Sequence, residues 1–502
     1  MASSLLLTLS NLVIYFFITR FMLIQLGTDL LGAWSFIGTL IGYTAMVQSS
    51  TTGAMTKYVA EYKTQNNQEK LLLVINSGIA QYLLLSLVAL VVGSILCYLT
   101  GFFPKLQVSG YLSTIRVTFG IMILNLALDL PFMGIRATIA GLHRYVFLNT
   151  LQLLRIMAYA GGTVLVLLRG WDLIGLAVCD FILCVTVNIT SYVFLRKILS
   201  FQLAWRYCRW DTIKLIFNFG IFSFISSFST MIFYYTDNLV IGYMLPLPLI
   251  MIAIYGFGFK ILESIKRLNQ SAVGVLMPVA SEISLLTGEE RRRKLEDLFT
   301  RGSRFSVILT LPPILFLLVF GKEFFRFWLG AGYEYVDQTY WIFVILIVPH
   351  AFVFSQYVGP NMLVGLAKHH AFAYILLGLA LVNLGLSIWL AQYYGIYGIA
   401  LGTAIPITLS RPIMHFYFKR VFDISMRKYY WDVWSRLTPI AAVLTGLLVL
   451  CKYQINISNM PALVGLAAIY ACLFWLLSYW TLDSYERQVI QHILRKLTGK
   501  VP

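Results

Sequence analysis

Between Tyr255 and Gly274 the sequence reads YGFGFKILESIKRLNQSAVG. Lys260, Glu263, Ser264, Arg267, Gln270, Ser271 and Gly274 recur there at the i, i+3, i+4, i+7 spacing of one helical face. Ile261, Leu262, Ile265, Leu268, Ala272, Val273 and Leu276 occupy the other face. Lys260 and Arg267 are two turns apart, about 10.5 Å of rise, with Glu263 at i+3 from the first and i−4 to the second. Lys266 adds a further cation at the edge of the stripe. A surplus of positive charge that can exchange an internal carboxylate for an external anion suits phosphate oxygens. Arginine would donate two parallel hydrogen bonds and lysine would act as a point charge.

The stripe lies inside an apolar run. A charge at mid-bilayer costs about 2.5 to 3.5 kcal/mol, so these four charges need either a hydrated cavity or a helix lying in the membrane interface. A span-length apolar run precedes them, which favours the cavity. The candidate substrate-binding residues are therefore Lys260, Glu263, Lys266, Arg267 and Gln270, joined by the intramembrane Arg155 and Arg411. Asp129, Asp180 and Asp237 are candidates for the cavity or for ion coupling, Asp237 near the outer end of its span. A fixed Arg to Asp pair that locks helices accounts equally well for Arg155, Asp129, Asp180 and Arg411. Arg20 falls off the polar face of its span and reads as snorkelling to the interface. No catalytic residue, metal site or cofactor is expected.

The elements that position these residues are membrane spans. The chain is 59% hydrophobic and 12% charged with mean hydropathy +0.80, far from the roughly 25% charged residues of soluble domains. Apolar runs long enough for about 30 Å of hydrocarbon fall near 5–26, 31–55, 71–99, 112–134, 146–168, 173–195, 214–243, 249–284, 305–329, 339–363, 371–392, 396–418, 437–455 and 462–481, giving about fourteen spans in an all-α protein. The first reads as a retained span, since no positive n-region or cleavage site accompanies it. The six cysteines show no metal spacing and read as free thiols.

A net charge of +17 is distributed in short segments between spans, without a basic tail, which argues for topology signals and against nucleic-acid binding. Most of the 38 basic residues alternate onto one side, including Arg136, Arg144, Arg291, Arg292, Arg293, Lys419, Arg420, Arg427 and Lys428. The opposite side holds Arg20, Lys105, Arg116, Arg169, Lys322, Arg326 and Lys452. Both termini are thereby placed in the cytoplasm of a multi-pass inner-membrane protein, with 286–304 inside and 102–111 outside.

The halves repeat at a near-constant offset of about 220 residues. Ser4, Thr8, Asn11 and Tyr15 correspond to Ser223, Ser227, Thr230 and Tyr234, and AGLHRYVFLN before span 5 to VGLAKHHAFA before span 11. Six spans per copy keep the two copies in the same orientation, about an axis along the membrane normal. The predicted organisation is a six-helix lobe over 1–200, a second over 210–425, two additional spans over 435–482 and a tail over 483–502. Span 2 carries Ser35, Thr39, Gly42, Ser49, Gly53 and Thr56 on one face, which suits close packing and a neutral lumen wall equally. Most prolines lie in the second lobe, where bends are expected. Spans 13 and 14 should flank that lobe and could offer a lipid-tail groove.

The order of motifs resembles a known family. AMTKYVAEY closing span 2, FSFISSFSTMIFYYTDNLVIGYML in span 7, AIYGFGFKI opening span 8, the exit MPVASEISLLTGEERRRKLEDLF and NMLVGLAKHH after span 10 are similar to the polysaccharide transporters, of O-antigen flippase type, of the multidrug/oligosaccharidyl-lipid/polysaccharide exporter superfamily. The resemblance implies a V-shaped pair of lobes. It also implies alternating-access movement of a lipid-linked oligosaccharide, on an undecaprenyl pyrophosphate type carrier, from the cytoplasmic to the outer leaflet. Its partners would be that substrate, membrane lipids and the polymerase and chain-length machinery of a polysaccharide pathway. Two alternatives are a drug or cation antiporter of the same superfamily and a membrane-embedded glycosyltransferase or polymerase. The first needs acidic residues in the membrane halves of spans 1 and 2, which have none. The second needs catalytic carboxylates or a substantial extramembrane domain, and the connections 286–304 and 419–436 are too short and too basic for one.

Overall fold

The computed structural model describes residues 2–46, 49–102, 110–199, 204–243, 250–274, 276–284, 286–330, 332–366, 368, 370–454, 457, 459–484 and 486–487. The segment 102–111, expected from the sequence to lie outside, and the tail 483–502 fall largely outside the described residues, as do Lys105, Pro104, Pro246, Pro248, Lys496 and Lys500. The side chains of Ser4, Thr8 and Ser223 in the matching stripes, and of Pro278, are likewise outside the description.

No strand occurs among the described residues, and the long elements are all helices. They are α1 (Ala2–Ala45), α2 (Ser49–Thr64), α3 (Gln68–Leu99), α4 (Leu112–Gly141), α5 (Tyr145–Leu168), α6 (Asp172–Ile198), α7 (Trp210–Tyr243), α8 (Ile250–Val273), α9 (Leu276–Ile283), α10 (Gly288–Leu329), α11 (Val336–Ser355), α12 (Val358–Gly365), α13 (His370–Phe422), α14 (Met426–Tyr430), α15 (Arg436–Gln454) and α16 (Met460–Thr481). Ten helices among the described residues are long and apolar enough to cross a membrane, or up to eleven if the bent pair in α7 counts as one span.

The difference from about fourteen lies in two features. Both α1 and α13 are pairs of helices joined at a glycine, Gly27 (φ 72°) and Gly395 (φ 55°), so each carries two of the apolar runs. A residue with a Cβ rarely adopts that left-handed backbone, which is why glycine can break the chain there. The charged stripe of α8 also lowers its hydropathy. A further non-helical residue within α10 is Phe320, so none of these three breaks falls on a proline, although α10 contains Pro312 and Pro313 and α13 contains Pro406 and Pro412.

The residues left on the surface fit a lipid solvent. Phe17, Leu87, Ile182, Leu409, Val443 and Trp480 are all exposed, whereas a protein facing water rarely displays apolar side chains so densely.

The chain divides into two compact units, residues 1–256 with 370–403, and residues 257–369 with 404–502. Segments 210–256 and 370–403, read from the sequence as parts of the second repeat, group with the first unit. The first has a core of Met55, Val59, Val74, Ile75, Tyr82, Leu130, Ile139, Leu195 and Ile216. Within it α1 packs closely on α7: a Cβ on Gly42 would lie 2.6 Å from Met231 Cε, and Asn238 donates to Thr39 Oγ1 at 2.9 Å. That part of the span 2 stripe serves helix packing. The second unit is built around aromatic side chains, among them Phe299, Phe325, Phe343, Phe354, Phe418 and Tyr429, all fully buried.

Candidate functional site

Three contacts fix α8 within the second unit. Gly258 lies so near α11 that a Cβ there would meet Thr339 O at 2.9 Å and Phe343 N at 3.1 Å. Phe257 packs edge-on against Trp328 and Tyr333. About three turns further on, the single hydroxyl of Ser306 lies between two acceptors, the buried Asn269 Oδ1 at 2.6 Å and Phe354 O at 2.5 Å. These contacts hold the apolar face inward, and Ile261, Leu262 and Ile265 are buried there.

The opposite face carries the charges. Glu263 sits between two cations, with Lys260 Nζ 2.9 Å from Oε2 and Arg267 Nη2 2.7 Å from Oε1. The carboxylate is 12% exposed, while Lys260 and Arg267 are 23% and 47% exposed. Lys266 is half-buried on the adjoining edge and lies close enough to the buried His350 to act on it electrostatically, as does Arg411. The local sum over Lys260, Glu263, Lys266 and Arg267 is cationic.

Tertiary structure adds residues that spacing alone could not. Gln270 Nε2 donates to Tyr357 Oη at 2.9 Å, and the adjacent Gln356 accepts from Arg411 Nη1 at 3.2 Å. The turn between α11 and α12 thus connects the end of the α8 stripe to Arg411, which also donates to Ser410 Oγ at 2.7 Å. Tyr357 and Gln356 were not legible as site residues, because nothing in their local pattern marks them.

Arg155 stands apart, in the first unit. Its Nη2 is 2.9 Å from Asp180, which also accepts from Asn125 at 2.8 Å. Arg136, read from the sequence as a loop residue, lies within α4 and pairs with Asp129 at 2.8 Å while donating to Asn188. Cys184 Sγ donates to the other Asp129 oxygen at 3.3 Å. These bonds tie α4, α5 and α6 together.

Asp237, also in the first unit, is only 2% exposed and accepts hydrogen bonds from Tyr255 Oη, Thr403 Oγ1 and Ser387 Oγ. Three hydroxyls from α8 and both halves of α13 therefore surround one buried carboxyl on α7. All six cysteines are free. Among the described residues no cluster of His, Cys, Asp and Glu could hold a metal.

The sequence profile of the family described as polysaccharide biosynthesis protein matches residues 87–337, half of the chain. The chain belongs to that family. No curated protein sequence matches this family member. Among solved structures it is similar to the lipid II flippase MurJ in an inward closed conformation, at 14% identity and TM-score 0.65, over 97% of this chain and 100% of MurJ. An inward-facing multidrug resistance MATE transporter of the MOP superfamily matches at 12% identity and TM-score 0.64, over 83% of this chain and 98% of its own. A MOP superfamily transporter from Pyrococcus furiosus, described as having a binding pocket of reverse polarity that suggests a different function, matches at 13% identity and TM-score 0.62, over 83% of this chain and 93% of its own. The polysaccharide biosynthesis family member thus has the fold of MOP superfamily transporters.

Proposed function

We propose that the protein is a flippase that moves a lipid-linked oligosaccharide from the cytoplasmic to the outer leaflet by alternating access, the carrier being of undecaprenyl pyrophosphate type. The observation that carries this reading is the Lys260–Glu263–Arg267 triad, a half-buried cationic face whose internal carboxylate can be traded for phosphate oxygens. Lys266, Gln270 and Arg411 extend the binding face. Arg155 with Asp180, and Asp129 with Arg136, are assigned to locking α4, α5 and α6. Asp237, in its ring of hydroxyls, is the coupling candidate.

Family membership supports a role in polysaccharide export, and the extent of the structural matches favours a flippase over an antiporter. The match to MurJ extends over 97% of the chain, whereas the match to the MATE transporter leaves 17% without a counterpart. The proposed orientation has both termini in the cytoplasm. A head carrying two negative charges then moves outward down the electrical gradient, worth about 2.3 kcal/mol per charge per 100 mV.

The test is transport in vesicles containing the purified full chain and a fluorescent polyprenyl diphosphate oligosaccharide. The expected result is movement of the glycan across the bilayer that accelerates under an imposed potential. Efflux of a cationic dye without glycan movement would assign the protein to the antiporter class.

A further inference from the structure

The connector between α13 and α15 is shaped as an amphipathic turn. Met426, Tyr429, Val433 and Leu437 recur at helical spacing and are all buried, with Tyr429 Oη donating to Ser355 Oγ at 2.7 Å. A π-helical turn over Trp431–Ser435 continues α14, and the backbone oxygen of Asp432 accepts from Arg304 Nε at 3.0 Å. Arg304 is itself buried against Glu486 at 2.6 Å. The segment is thus pinned along one side.

The other side is open and borders a surface cavity of about 770 Å³ lined by Ser425, Arg427, Lys428, Tyr430, Trp431 and Ser435. Trp431 is 68% exposed, and Tyr430 is held by stacking on His415 with ring centroids 5.3 Å apart. Exposed Trp and Tyr beside Lys and Arg are the composition of a segment seated at headgroup depth, where aromatic rings and long cationic side chains are both partly solvated. Arg427 is exposed, and its side chain makes no hydrogen bond or ion pair with another described residue. Lys428 is held only loosely, 3.5 Å from Glu296 and 4.0 Å from Asp297.

We propose that this cavity binds the phosphate headgroup of an anionic phospholipid, separately from the transport site on α8. Arg427 presents the planar fork that pairs with phosphate oxygens, and Lys428 adds a point charge. Ser425 supplies a hydroxyl at the rim, and Trp431 covers the glycerol region. The carboxylates of Glu296 and Asp297 both stand against Lys428, which leaves Arg427 as the cation that faces no carboxylate among the described residues. A single guanidinium suits the single negative charge of a phosphodiester better than a diphosphate, which distinguishes a bilayer lipid from the carrier of the transported glycan. On the orientation proposed above, the lipid belongs to the cytoplasmic leaflet. It would fasten the junction between the repeats and the last two helices.

The test is the thermal midpoint of the full chain in a mild uncharged detergent with dioctanoyl phosphatidylglycerol, dioctanoyl phosphatidylcholine or farnesyl diphosphate added. Phosphatidylglycerol is expected to raise Tm by about 3 °C near saturation. Phosphatidylcholine should raise it much less, and the response should be lost in an Arg427→Gln, Lys428→Gln variant but retained in Arg293→Gln, which removes an exposed cation elsewhere. An equal response of the double variant, or an equal response to the two phospholipids, would overturn the site. A larger response to farnesyl diphosphate than to phosphatidylglycerol would overturn the assignment to a bilayer lipid. The measurement involves no transport, so its outcome is independent of the function proposed for α8.

Discussion

Arg267 donates to Glu263 across 2.7 Å while nearly half of its own side chain stays exposed. The acceptor is largely covered and the donor is not, so an incoming anion meets the guanidinium before it meets the carboxylate. Such a pair is worth only about 0.2 to 0.5 kcal/mol on a helix surface in water and gains strength where the surroundings are less polar. It can therefore hold the face together when empty and yield to phosphate when loaded.

Replacing the carboxylate separates loading from release. Glu263→Gln keeps the shape but removes the competing charge, and it is expected to tighten binding of a diphosphate while slowing turnover several-fold. Arg267→Lys keeps charge but not the fork, and should retain partial transport. Single-turnover and steady-state transport measured in the same vesicles check both.

The seating of α8 against α11 gives a prediction about stability. Gly258→Ala would press a methyl against the Thr339 and Phe343 backbone, at a cost of about 1 to 3 kcal/mol. Gly256→Ala meets nothing within 4 Å and should be nearly silent. Comparing Tm for the two purified variants tests whether the stripe depends on this close approach.

For the Arg155 and Asp180 pair, removing one partner leaves a poorly solvated charge. Arg155→Met alone is expected to destabilise by about 2 kcal/mol, less than a fully buried pair because both side chains retain some exposure. Arg155→Met with Asp180→Leu should recover most of that loss and transport near the wild-type rate. Loss of transport in a well-folded double variant would return Arg155 to the binding site.

Much of this was legible in the sequence, for reasons that differ by element. The α8 face could be read because its charges repeat at helical spacing, and the Lys260–Glu263–Arg267 contacts are local to that helix. The fourteen apolar runs fall on helices, since a segment in lipid must bond its own backbone. The link from Gln270 through Tyr357 and Gln356 to Arg411 joins residues remote in sequence, so only packing brings them together. Arg136 was read as a loop cation because a single charge near the end of an apolar run looks the same whether it faces water or an Asp seven residues earlier. Asp237 looked peripheral because its partners, Ser387 and Thr403, lie far along the chain on either side of the Gly395 break.

The proposed sidedness rests on the distribution of the basic residues. A cysteine placed at position 290, where the native Glu290 is well exposed in the first turn of α10, should react with a membrane-impermeant maleimide only after the cells are opened. Labelling in intact cells would invert the proposed topology.

The central claim is that the α8 cations carry the substrate, and the most direct measurement is glycan export by the Lys260→Ala, Arg267→Ala double variant in cells lacking the native protein. Its amount in the membrane is checked alongside. The account predicts that export is abolished while the protein is inserted at normal levels. Export at the wild-type rate would contradict it and leave the stripe as an interfacial surface.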